Sequence, residues 1–160
     1  MRTLQQYTAG EIMTRELLTA SEHWSIQTLI DFFNRHKISG APVLSAQREF
    51  VGVVSLSDIL TFDGVPRHSM EENPMTQYYC NMAEGATPDE LGFKDVNQHQ
   101  SHLVSEIMTQ ALITAPADTS VPALSALMHN KGIHRVFITE DDQICGAVST
   151  LDILRLVADL

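Results

Sequence analysis

A chain of 160 residues, 44% hydrophobic and 19% charged, is long enough to bury a core as one domain or as two small halves sharing one. Ten basic against twenty acidic residues leave a net charge of −10, without the lysine and arginine excess that nucleic acid or an anionic membrane surface requires. Cys80 and Cys145 form no CxxC pair, no leading stretch has signal-peptide character, and no run approaches about 18 apolar residues. Reduced thiols, a cytoplasmic location and no membrane span are the expectation.

In chain order, Leu17-Leu18-Thr19 predicts a short strand. Ile26, Leu29, Ile30 and Phe33 recur at i, i+3, i+4 and i+7 and predict a helix with Ser25 as its N-cap. Residues 41–44 read as a strand, 46–49 as a polar turn, and 50–55 as a second strand, apolar through Val54 and so buried. A helix starts near Ser57-Asp58. Residues 63–104 hold Gly64, Pro66, Pro74, Gly85, Pro88 and Gly92 among many polar residues and predict an irregular segment, either a loose linker or a cover for a site or dimer face. Residues 75–82 are its most apolar part. His99 and His102 share a helical face by spacing, but a metal needs three or four ligands, so no metal site is expected. Ser120 opens a helix with Pro122 in its first turn and Val121, Leu124 and Met128 on one face. Residues 135–139 and 144–149 are strands about a turn at 140–143, and a last helix runs from Leu151 toward Leu160.

The later elements repeat the earlier ones. Glu11-Ile12-Met13-Thr14 returns as Glu106-Ile107-Met108-Thr109, 95 positions on. The register holds through Leu17/Leu112, Thr19-Ala20/Thr114-Ala115, Ser25/Ser120, Leu29/Leu124 and Ile38/Ile133. One residue is lost at the next turn, after which Gly52-Val53-Val54-Ser55 meets Gly146-Ala147-Val148-Ser149 and Asp58-Ile59-Leu60 meets Asp152-Ile153-Leu154. Two copies of one β-α-β-β-α unit, about 11–62 and 105–157, predict an α+β fold. A unit this small cannot bury both faces of its sheet, so pseudo-twofold packing of the two is expected. The divisions are 1–62 for the N-terminal segment and first copy, 63–104 for the irregular segment, and 105–160 for the second copy.

The chemistry gathers at the strand-to-helix junctions. Ser55 and Ser57 can donate to an anionic ligand at a helix start, and an ionised Asp58, acceptor only, suits the paired hydroxyls of a ribose. One such junction reads equally well as a helix cap. Its recurrence at Ser149 and Asp152 shifts the balance toward a ligand site. Lys131, His134 and Arg135 form a second cluster, three potential cations at a helix end in a chain poor in cations, fit for phosphate or for the helix dipole.

These motifs resemble the cystathionine-β-synthase-type (CBS) domain, and the chain resembles a CBS domain pair. The resemblance covers about 100 of the 160 residues. It rests on the segments 52–58 and 146–152 and on 38–43 and 133–138; the Gly52–Leu60 string is similar to nucleotide-binding repeats of AMP-activated protein kinases. It implies two clefts, each straddling both copies. One pairs Ser55, Ser57 and Asp58 with Thr114, Ala115, Ile133, His134 and Arg135, with Lys131 nearby. The other pairs Ser149 and Asp152 with Thr19, Ala20, Ile38, Ser39 and Pro42. The first cleft, with two hydroxyls and a basic cluster, is expected to be the occupied one. Leu151 stands where the other copy has Ser57. Phe137 stands where the family commonly has proline, as at Pro42, and would narrow an adenine pocket.

The implied function is a regulatory module that binds AMP, ADP or ATP, forms a homodimer, acts on an unidentified effector protein, and needs no cofactor. A dimerisation or interaction module without a nucleotide is the alternative, as is another adenosyl ligand such as S-adenosylmethionine or NAD. No nucleophile–base pairing suggests an enzyme.

Overall fold

The computed structural model describes residues 2–64 and 96–160. Its first part runs through a 3-10 turn (Leu4–Gln6), α1 (Ala9–Ile12), β1 (Ala20–Ser21), α2 (Ile26–His36), β2 (Gly40–Leu44), β3 (Phe50–Ser55) and α3 (Leu56–Phe62). Its second part runs through α4 (Val96–Ser101), α5 (Val104–Ile107), β4 (Thr114–Pro116), α6 (Val121–Lys131), β5 (Arg135–Glu140), β6 (Gln143–Ser149) and α7 (Thr150–Ala158). The expected apolar 75–82 stretch and Cys80 lie outside the described residues.

The two copies build two three-stranded sheets in the same way. β1 pairs parallel to β2 and β2 antiparallel to β3; β4, β5 and β6 repeat this order. Ala20 stands opposite Val43 and Ala115 opposite Ile138, the same register in each copy. The strand expected at residues 17–19 begins instead at Ala20. The parallel partners Val43 and Leu44 reach only Ala20 and Ser21, and Leu18 is exposed. The segment 63–104, expected to be irregular, ends in the helix α4.

Helix ends follow local chemistry. Ser25 Oγ accepts from the Thr28 N–H at 3.1 Å, and Ser120 Oγ from the Ala123 N–H at 3.4 Å. α2 ends at Lys37 and α6 at Gly132, both in the left-handed region, with φ of 55° and 62°. Glycine takes that conformation without a side-chain penalty, which Lys37 bears.

The chain forms two compact units that do not follow the repeats end to end. One joins residues 1–17 to 113–160; the other is 18–112. The head of each copy therefore packs on the body of the other. Ala9 N–H donates to Thr119 C=O and Val104 N–H to Trp24 C=O, both at 2.8 Å. Thr14 bridges to Ala147, and Thr109 to Val53. Ala9 is buried in a core with Ala115, Leu124, Met128, Val136, Ile138 and Val148. Val104 is buried in the other, with Ile26, Leu29, Phe33, Val43, Val54, Leu56 and Ile59. Burial of these helix and strand faces is the main driving force of each unit.

Gly52 and Gly146 belong to this exchange. A Cβ at Gly52 would stand 2.5 Å from the Thr109 carbonyl oxygen. One at Gly146 would stand 2.6 Å from Met13 Sδ and 2.9 Å from the Thr14 carbonyl oxygen. Only glycine lets the exchanged backbone lie this close to the strand.

Candidate functional site

The strand-to-helix junctions carry the expected serine–aspartate corners. In the unit 18–112, β3 ends at Ser55, whose N–H donates to Asp58 Oδ2 at 2.8 Å and whose Oγ lies 3.2 Å from the same oxygen. Ser57 Oγ is 2.7 Å from Ser55 Oγ, so both hydroxyls and the carboxylate form one cluster. Asp58 is 6% exposed. In the other unit, Ser149 N–H and Oγ reach Asp152 Oδ2 at 2.8 and 2.7 Å, and the Asp152 N–H returns a bond to Ser149 Oγ at 3.3 Å. These are reciprocal caps. A carboxylate offers about four acceptor positions, so capping does not exhaust it. At the Ser57 position the second corner has Leu151, an exposed apolar side chain.

Each corner sits beside the strand that precedes it. Leu56 N–H donates to Ser39 C=O at 2.9 Å, and Thr150 N–H to His134 C=O at 3.0 Å. Gly40 lies opposite Ser55, and Arg135 opposite Ser149. Thr19, Ala20, Ile38, Ser39 and Pro42 belong to the same unit, 18–112, as Ser55, Ser57 and Asp58. Thr114, Ala115, Lys131, Ile133, His134 and Arg135 belong to the same unit as Ser149 and Asp152. Lys131 and His134 are exposed and Arg135 is half-buried. Ala20, Pro42, Ala115 and Phe137 are buried in their strands.

His99 and His102 are engaged with protein groups. His99 Nε2 lies 2.7 Å from Asp63 Oδ1, and His102 Nδ1 lies 3.1 Å from Glu106 Oε1. Among the described residues no group of three or more histidines, cysteines and carboxylates could hold a metal ion. Among them, too, no helix is long and apolar enough to cross a membrane. Sequence reasoning missed Asp63, whose partner lies 36 residues away, and the role of the two glycines in the exchange. The glycines were visible as a repeated position next to the corner; nothing in the local pattern marked Asp63.

Two units of one β-α-β-β-α order, with a serine–aspartate corner at the same junction in each, define a duplicated α+β pair. The CBS domain family model matches residues 9–64 and 104–159, and the chain belongs to that family as a tandem pair of CBS repeats. It is 26% identical over 156 residues to the uncharacterized protein MJ1426 of Methanocaldococcus jannaschii, covering 91% of this chain and 92% of that one. Among solved structures, it resembles the CBS domain pair of protein MJ0100 in complex with 5′-methylthioadenosine and S-adenosyl-L-methionine, with a TM-score of 0.65, 21% identity, and coverage of 96% and 97% of the two chains. It likewise resembles CBSX2 in complex with AMP, with a TM-score of 0.67, 18% identity and coverage of 96% and 97%. These likenesses are of fold.

Proposed function

We propose that the chain is a regulatory module that binds an adenine nucleotide, AMP, ADP or ATP, and responds to it. The observation that carries this reading is the doubled corner: a serine hydroxyl and an aspartate carboxylate held together at the same strand-to-helix junction in both units. A carboxylate fixed there accepts hydrogen bonds from a vicinal diol, and serine hydroxyls donate to phosphate oxygens. His134 and Arg135 supply further donors beside the second corner, and the Arg135 cation suits phosphate through its planar fork. The related folds solved with AMP and with adenosyl ligands support the ligand class. The aspartates serve as caps and ligand acceptors, so the reading is of a binder rather than a catalyst.

A second reading has one observation of its own. Along α7, Leu151, Leu154 and Val157 are 57%, 61% and 48% exposed, an apolar stripe that suits self-association or an effector protein. It describes an interaction module, with or without a nucleotide.

One experiment separates these. Isothermal titration with AMP, ADP, ATP and S-adenosylmethionine is run with the oligomeric state recorded by sedimentation. The nucleotide reading expects saturable binding that Asp58→Ala or Asp152→Ala weakens by about 10- to 100-fold, as for loss of a hydrogen bond to a charged group. Asp58→Asn, which keeps an acceptor for the cap, separates lost charge from a damaged helix start. No heat with any of the four at millimolar concentration defeats the nucleotide reading and leaves the interaction module. Tightest binding of S-adenosylmethionine would move the ligand to that class.

A further inference from the structure

We propose that His99 is a positioning residue for the Ser55–Asp58 corner. Its bond to Asp63 acts as a latch that couples α4 to whatever occupies that corner. The proposal rests on the nucleotide reading above.

The latch and the corner are the two ends of one short helix. α3 has seven residues, and at about 1.5 Å per residue its length is roughly 10 Å. At its start, Asp58 is fixed by Ser55. At its end, Asp63 donates its backbone N–H to Ile59 C=O at 2.9 Å, while its carboxylate meets His99 Nε2 at 2.7 Å. Between them, Leu56 and Ile59 are fully buried and Thr61 Oγ1 donates to Ser57 C=O at 2.8 Å. A displacement at one end of so short and well-anchored a helix reaches the other, because packed elements shift as units.

The grip at the far end is double. The His102 ring meets the Phe62 ring edge-on, with centroids 5.0 Å apart, and the His99 ring lies 6.3 Å from it. The His99 side chain is 2% exposed and that of Asp63 20%, so the imidazole is buried and the carboxylate stands at the edge of solvent. Losing Asp63 takes a charge-assisted bond from a buried ring, whereas losing His99 returns the Asp63 carboxylate to solvent, so the two single variants are not expected to cost the same.

The second copy serves as an internal control. The positions equivalent to His99 and His102 are Leu4 and Tyr7, and Asp63 corresponds to Val157, which stands exposed at the end of α7. The repeated fold is built there without a polar latch. The pair in the first copy is therefore not required by the repeated fold: where α4 carries it, the other unit has only the 3-10 turn Leu4–Gln6. By reciprocity, a ligand that favours one position of α3 changes the docking of α4, and α4 changes the affinity for the ligand by the same factor.

The test compares wild type, His99→Ala, Asp63→Ala, the double variant and His99→Gln, whose amide can still donate to Asp63. AMP and ATP affinities are read by titration, and amide exchange over residues 98–102 is read with and without AMP. The expected result is a loss of about 2- to 30-fold in affinity for each alanine variant, a double variant no weaker than the worse single, and recovery in His99→Gln. AMP is expected to slow exchange in α4 of the wild type. Should His99→Ala fail to fold, Asp63→Asn takes its place. Unchanged affinity in the folded variants, additive losses, or α4 exchange indifferent to AMP overturns the latch while leaving nucleotide binding intact. A wild type that binds neither nucleotide removes both.

Discussion

At equivalent places in the two units, Asp63 at the end of α3 meets a buried imidazole, whereas Val157 on α7 stands open to solvent beside Leu154. The corners at the other ends of these helices differ in step. The first has two serine hydroxyls and a buried carboxylate; the second has one serine, a half-buried carboxylate and an exposed leucine. Duplication supplied one scaffold twice, and the copies then spent their free positions differently. Sheet register, head exchange and the capping aspartate are common to both and belong to the fold. The second serine and the histidine latch occur in one copy, and the bare apolar stripe in the other. The unshared features are where function is to be sought.

The comparison can be broken most severely in the cores. Phe33 and Met128 occupy the same position in α2 and α6, and both are buried. Phe33→Ala is expected to cost about 3–5 kcal/mol and Met128→Ala about 2–5 kcal/mol in urea denaturation. If the units unfold independently, each variant shifts one of two transitions; a single shared transition would show that they unfold as one.

Substitutions at the head contacts come next. Gly52→Ala drives a methyl group toward backbone, the Thr109 carbonyl, while Gly146→Ala meets the flexible Met13 side chain first. Both are expected to destabilise by about 1–3 kcal/mol, with Gly52→Ala the larger. Equal stability of the two variants would show that the Thr109 backbone yields as easily as a methionine.

The smallest effect is electrostatic. Glu11 and Glu106 are counterparts, each accepting a backbone N–H of its own head, from Thr8 at 2.9 Å and from Leu103 at 2.5 Å. The Arg2 guanidinium beside Glu11, with the Thr8 N–H, holds that carboxyl below its ordinary value of 4.5. The Leu103 N–H, with His102, does the same for Glu106. A lowered folded-state pKa means the folded protein binds fewer protons. The resulting stability is therefore present above about pH 4.5 and is lost as pH falls through the folded value. Arg2→Ala is expected to raise the Glu11 titration in NMR, leave Glu106 in place, and flatten the acid loss of stability slightly. Movement of both carboxyls together would contradict the separate causes.

Much of this was legible in the residues because the code involved is local. The i, i+3, i+4 pattern of Ile26, Leu29, Ile30 and Phe33 names a helix face, and the structure buries all four. The repeat itself revealed the fold class, and the serine–aspartate spacing placed Ser55 with Asp58 and Ser149 with Asp152. What the residues withheld was pairing across sequence. No periodicity says that the head at Glu11 joins the body of the other copy, since either body would accept the same apolar pattern. The strand expected at Leu17-Leu18-Thr19 failed for a related reason: its place is set by Val43 and Leu44 across the sheet rather than by its own composition. His99 and Asp63 likewise find each other only through the packing of α4 beside α2 and α3.

The exchange of heads has a consequence for how the chain matures on the ribosome. The unit 18–112 is one uninterrupted stretch, whereas the other must bring residues 1–17 to a body that begins at 113. Because synthesis proceeds from the N-terminus, the opening residues wait, apolar side chains such as Ile12 and Met13 included, until the last strands emerge. The internal stretch can finish first, and the other unit is completed only once both of its pieces have been made. Severing the chain between its repeats would therefore give two fragments that each carry the other's missing piece.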